Sequence, residues 1–294
     1  MDIKYFKEIC RSSPKTLLKN IPNILEKCGY KEMFCCEDYA YAKGSNPVLL
    51  VAHVDTVHFH LPEDIFFDQQ QQVMWSPDGI GGDDRCGVYA ILKLINKFNP
   101  SVLFTNGEEA GATGSNYLLE DLPKLVPDVR FILELDRKGA NDCVFYSCGN
   151  KEFQQFVSGF GFKKNFGTFS DISVLAPAWN IAAANLSVGY YNEHSSSEFV
   201  NVGQLEMTIQ RVANILSDKG KNKFDFQEVV YKTKFATGYY GKWDEKTKTY
   251  VYPDGKQSWT NSALSNSAMA GGDEYDDDDA FRNRWLAASN LPPQ

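Results

Sequence analysis

Two groupings in this chain have the residue types of metal-assisted acid–base chemistry: His53-Val54-Asp55 and the adjacent pair Glu108-Glu109. In the first, an imidazole can bind an ion while the nearby carboxylate holds its other ring nitrogen and fixes the tautomer. With Asp83, Asp136 and His194 the candidates are His53, Asp55, Asp83, Glu108, Glu109, Asp136 and His194. Two histidines and several carboxylates suit Zn²⁺, or Mn²⁺ and Co²⁺ in similar sites. The set suggests two ions, held about 3.5–4 Å apart by a bridging carboxylate as in two-metal hydrolases. The neighbouring glutamates can then divide the work. One ligates, and the other takes a proton from a water whose pKa the ions lower towards roughly 7. Singly, each residue has an ordinary reading: Glu108-Glu109 a solvated turn, Asp83-Asp84 an N-cap pair, His194 an exposed loop residue.

The elements that must position these groups are legible as apolar runs. Val48–Ala52 reads as a buried strand ending at His53, Ser101–Thr105 as a second ending before Glu108, and Val129–Leu133 as a third ending in Glu134-Leu135-Asp136. In open α/β sheets, ligands gather at the carboxyl ends of such strands. Short strands are expected at Glu32–Cys36, Tyr39–Ala42, Cys143–Ser147 and Ile181–Val188, and a hairpin at Ile65–Trp75. Helices are expected at residues 3–11, 15–28, 87–98, 112–122, 152–160 and 202–216, and Thr168–Leu175 reads as a loop entering another. The whole predicts a three-layer αβα sandwich with a mixed, mainly parallel sheet.

Composition narrows the function classes. A net charge of −8 argues against nucleic acid or an anionic membrane as the main partner. No apolar run is long enough to span a membrane, and the opening residues lack the apolar centre of a signal peptide. Seven cysteines without a CxxC fit reduced thiols, so a cytoplasmic location is expected. From about Lys219 apolar periodicity gives way to lysine, aromatic and glycine residues, then an acidic run at Asp273–Asp279. Residues 1–218 are therefore expected to form the catalytic domain. Residues 219–294 are expected to form a polar, acidic, partly disordered appendage, with a small hairpin within Tyr231–Tyr252 and a short helix at Phe281–Ala288. The acidic run would suit a basic partner or serve solubility.

Five motifs in order, HVD, GGDDRCG, TNGEEAG, ELD and EHSSSE, resemble those of the co-catalytic zinc exopeptidases over roughly residues 45–215. That clan includes leucyl-type aminopeptidases, peptidase T, the carboxypeptidase and acetylornithine-deacetylase group, and tetrahedral aminopeptidases. The resemblance implies that His53 and Asp136 serve one metal, Glu109 and His194 the other, and Asp83 both. It makes Glu108 the general base, Asp55 the group that orients His53, and Glu198 one that orients its loop. His58 and His60 are read as without a role. Asp171 shapes the pocket or caps a helix, while Arg85 and Arg137 pair with carboxylates or bind substrate.

Many clan members carry a lid or dimerisation domain of about a hundred residues, an insertion this chain has no room for. Only 57 residues separate Asp136 from His194, and 29 separate His53 from Asp83. The layout implied is a lidless catalytic domain, and the first expectation is an aminopeptidase of short peptides. A deacylase of N-acyl amino acids is the second, and a glutaminyl-cyclase-like transferase a remoter one. A non-catalytic protein acting through its acidic tail is the reading from a different class.

Overall fold

The computed structural model describes residues 1–220, 222–229, 242–244 and 249–251. The expectations for the acidic run and for residues 281–288 lie outside these. Local sequence accounts for the opening helices. Asp2 accepts the Tyr5 amide to begin α1 (Ile3–Cys10), and Ser13 accepts that of Thr16 to begin α2 (Pro14–Lys27), with proline in the first turn. Strands β1 (Glu32–Cys35), β2 (Tyr39–Lys43) and β3 (Asn46–His53) follow. The hairpin β4 (Phe66–Asp68) and β5 (Val73–Trp75) forms within the Ile65–Trp75 stretch where one is expected. Next come α3 (Gly82–Phe98), β6 (Pro100–Thr105), α4 (Thr113–Asp121) and β7 (Phe131–Arg137). They lead to β8 (Asp142–Val144), α5 (Lys151–Ser158), β9 (Lys163–Lys164) and α6 (Asp171–Trp179). The unit closes with β10 (Ala183–Ser187), β11 (Tyr190–Tyr191), β12 (Phe199–Asn201) and α7 (Val202–Asp218).

Eight strands form one sheet in the order β1-β2-β6-β3-β7-β10-β8-β9. The central strands β6, β3, β7 and β10 run parallel, while β1, β2 and the β10–β8 pair supply antiparallel edges. Strand β3 shows why it must lie at the centre. Val48, Leu50 and Ala52 enter a core shared with α1, α2, α3, α5 and α7, whereas Leu49 and Val51 face the opposite core under α4 and α6. The mixed, mainly parallel three-layer fold is the one expected. Strand β7 corrects one detail: it runs through Glu134 and Asp136 to Arg137 instead of stopping at Leu133. A second, four-stranded antiparallel sheet, β11-β12-β5-β4, joins the segment after Trp75 to the segment before Phe199.

The chain divides into two compact units, Met1–Val229 and Val230–Gln294. The first thus continues past the boundary expected at Asp218. Residues 222–229 belong to it: Phe224 donates its amide to Arg130 and accepts that of Ala182, and its ring is buried beside Phe131, Phe153 and Phe156. In the second unit, β13 (Lys242–Asp244) and β14 (Thr249–Val251) pair as an antiparallel hairpin, as expected. Among the described residues all seven cysteines are free, and no helix is long and apolar enough to cross a membrane.

Candidate metal centre

The parallel strands deliver their polar ends to one place. His53 is the last residue of β3, and the ladder to β6 continues one residue further, Val54 donating to the Thr105 carbonyl at 2.7 Å. Asp55 then turns back: its Oδ1 lies 3.3 Å from His53 Nδ1. Its two oxygens also accept the backbone amides of Glu108 and Glu109, at 3.3 and 3.2 Å. One carboxylate therefore sets both the imidazole and the glutamate turn. Asp83 and Asp84, joined by a cis peptide, precede the regular part of α3, and Asp84 Oδ1 accepts the Gly87 amide at 2.8 Å to start it. Asp136 projects from β7. His194 comes from the loop between β11 and β12, in a left-handed backbone conformation (φ 62°).

These side chains fall into overlapping trios. His53, Asp83 and Asp136 form one, and Asp83, Glu109 and His194 another, with one donor atom of each residue within 4.8 Å of the others. Asp83 belongs to both. Its Oδ1 lies 3.1 Å from His53 Nε2, and its Oδ2 lies 3.3 Å from His194 Nε2. His53 Nε2 is also 3.4 Å from Asp136 Oδ1, and His194 Nε2 is 2.9 Å from Glu109 Oε1. Glu108 makes a third trio with His53 and Glu109. All seven candidates are thus brought together, and the imidazole and carboxylate donors fit hard-to-borderline divalent cations.

The electrostatics make the same point. Burial and the charge of Asp136 push the Glu108 carboxyl up to about 9. Burial, opposed by His53, raises Asp136 to about 7. Burial would also raise Asp83 and Asp55, but their histidine partners outweigh it; Asp83 is held far below the carboxylate range and Asp55 at about 2. Hydrogen bonds to Asp83 and Glu109 lift His194 to about 10. So many carboxylates in one buried place must share protons or take up cations.

Residues 39–165 match the sequence model of peptidase family M28. The match covers less than half of the chain, and with the overlapping trios it supports a metal-dependent hydrolase similar to the zinc exopeptidases. Solved structures agree in fold. Aminopeptidase PepT from Bacillus cereus superposes with a TM-score of 0.60 at 13% identity, over 74% of this chain and 98% of that one. A tripeptidase from Staphylococcus aureus gives 0.60 at 12%, over 74% and 97%. An aminopeptidase from the archaeon Desulfurococcus kamchatkensis gives 0.54 at 12%, over 74% and 94%. No curated protein matches by sequence. Between Asp136 and His194 this chain has only β8–β11 with α5 and α6, of which β8, β9 and β10 belong to the main sheet.

Several groups around the centre escaped the sequence reading. The Asn185 carboxamide brackets Asp136, accepting its backbone amide at 3.0 Å and donating to its carbonyl at 2.9 Å. Tyr190 donates to Asp136 Oδ1 at 3.3 Å. Ser170 donates to Glu134 and stands 3.5 Å from Asp136 Oδ2. The signal available was a polar residue inside a buried strand, Asn185 in β10 and Glu134 in β7, which is tolerated only with partners. Asp171 accepts from Thr105 and Ser115, tying α6 to β6 and α4. Arg85 is wholly buried, which removes it as a substrate-binding group, and Arg137 donates to the Phe166 carbonyl at 2.9 Å. His58, read as idle, bonds Glu198 at 2.8 Å; His60 is exposed.

Proposed function

We propose that the chain is a two-metal aminopeptidase of short peptides, with zinc as the ion it uses. The observation that carries this reading is the double reach of Asp83, whose two oxygens face different histidines at 3.1 and 3.3 Å. His53 and Asp136 would hold one ion, Glu109 and His194 the other, and Asp83 both. A bound ion pair supplies Lewis acidity, polarising the scissile carbonyl and lowering the pKa of the attacking water. Glu108 is the base. Its carboxyl stands beside the trios without being needed by the first two, and it takes the water's proton and returns it to the departing amine. Asp55 keeps the His53 ring oriented and fixes the backbone of the glutamate turn, so base and ligand hold a constant spacing.

The test pairs metal content with turnover. The wild type is expected to hold two zinc ions per chain and to release N-terminal residues from short peptides. Glu108→Gln is expected to keep the metal while turnover falls by about 10²–10⁴-fold. Retained turnover in that variant overturns the assignment of the base, and absence of bound metal overturns the mechanism. Cleavage of N-acyl amino acids in place of free peptides would move the reading to a deacylase.

A further inference from the structure

Glu198 is buried and carries three donors. Its Oε1 accepts the amide of Asp83 at 2.9 Å, and its Oε2 accepts the amide of Gly81 at 2.8 Å and the His58 Nε2 at 2.8 Å. These contacts join three separate loops. Glu198 ends the loop that carries His194, Gly81 and Asp83 belong to the loop that presents the shared aspartate, and His58 lies in the loop that begins with Asp55. The fit of the His58 ring is close on a second side: a Cβ built on Gly79, itself at φ +88°, would lie 2.1 Å from its Cε1. The loop is laid down between Glu198 and His58.

We infer that His58 is a positioning residue: by holding Glu198, it clasps the Gly79–Asp83 loop and so sets where Asp83 stands between the two histidines. The inference rests on the metal-hydrolase reading for its consequence, but the clasp itself is a property of the loops. Asp83 takes part in both trios, so a small drift of its backbone spoils both at once. Glu198 binds its three donors best as a carboxylate, and with His58 removed one oxygen keeps a single buried partner. Second contacts of this kind affect metal affinity by about 10–100-fold. His58 also lies outside the ligand set, so its loss removes no donor atom.

The experiment uses the full chain with His58→Phe, which keeps a ring against Gly79 but cannot donate, and His58→Gln, which restores an N–H donor. Two readouts are taken: zinc affinity by competition with a chromogenic chelator, and amide hydrogen exchange of residues 79–83 in metal-free protein. The expected result for His58→Phe is a zinc dissociation constant raised by about 10–100-fold and faster exchange at Gly81 and Asp83, with melting of the metal-free protein unchanged. His58→Gln is expected to recover most of the affinity and the protection. Exchange and affinity in His58→Phe equal to wild type overturn the clasp, and so does equal loss in both variants, which would mean that packing alone matters. If the wild type itself binds no zinc, the metal reading fails and the exchange comparison still decides the clasp.

Discussion

At the residue scale, the centre sets charged groups against one another, an arrangement that shared protons or a bound cation would relieve. Glu108 and Asp136 have carboxyls raised to about 9 and about 7, well above their ordinary values near 4. A carboxyl whose pKa rises on folding contributes stability below its unfolded pKa and loses it as pH climbs through the folded one. The metal-free protein is therefore expected to lose stability steadily between about pH 4.5 and pH 9. His194, raised to about 10, acts in the same direction at the upper end of that range, more weakly because it is half exposed. A bound ion needs these groups deprotonated, so its stabilisation grows over the same interval. Melting scans at pH 5, 7 and 9 with and without zinc check this. The expected outcome is a falling metal-free Tm and a widening gain from zinc. A gain that shrinks as pH rises would contradict the assignment. Of the candidate ligands, His53, Glu109 and Asp136 were legible because each lies at or beyond the end of an apolar strand, while Asp83 and His194 were placed by the motif resemblance. His58 was not legible, since its partner Glu198 stands 140 residues away and only the folded loops bring them together.

At the element scale, the strands announced themselves where both faces are buried, as in β3, and blurred where polar groups enter the sheet. Strand β7 looked finished at Leu133 because Glu134 and Asp136 break the apolar run. It continues because Ser170, Asn185 and Tyr190 give those carboxylates partners. The start of α3 was read more closely, the helix being expected from Gly87. Asp83 and Asp84 have extended or irregular backbone, and the regular helix begins only beyond them. Gly87 is what lets that helix lie against β7. A Cβ there would meet the Leu135 carbonyl oxygen at 2.0 Å and the Asp84 carboxylate at 2.4 Å. Gly87→Ala must push α3 away from the strand that carries Asp136 while its own end carries Asp83. The expected cost is about 1–3 kcal/mol from overpacking, read as a lower urea midpoint, together with weaker zinc binding because the two aspartates separate. An alanine variant with wild-type midpoint and affinity would show that α3 and β7 have slack that this packing does not suggest.

At the scale of the whole molecule, composition and packing place the end of the first compact unit differently. Apolar periodicity stops near Lys219, yet the compact unit runs to Val229. The reason is that residues 222–229 contribute through backbone bonds and the rings of Phe224 and Phe226, features that leave no periodic trace. Gln227 and Val229 bond Gly149 and Ser147 across one loop, while Phe224 is bonded to Arg130 and Ala182 at the ends of β7 and β10. Burying the Phe224 ring is worth about 1.5–3 kcal/mol, and each backbone bond adds about 0.5–1.5. A chain ending at Asp218 is therefore expected to lose about 3.5–9 kcal/mol, a large part of a typical domain's ~5–15 kcal/mol. A chain ending at Val229 is expected to keep the urea midpoint of the first unit, its zinc content and its peptide hydrolysis. The two truncations differ by only a short segment, so comparing them separates packing from chemistry. If both behave alike, the segment 222–229 carries no stability. If the chain ending at Val229 folds and binds zinc but does not hydrolyse peptides, the acidic C-terminal unit takes part in the reaction.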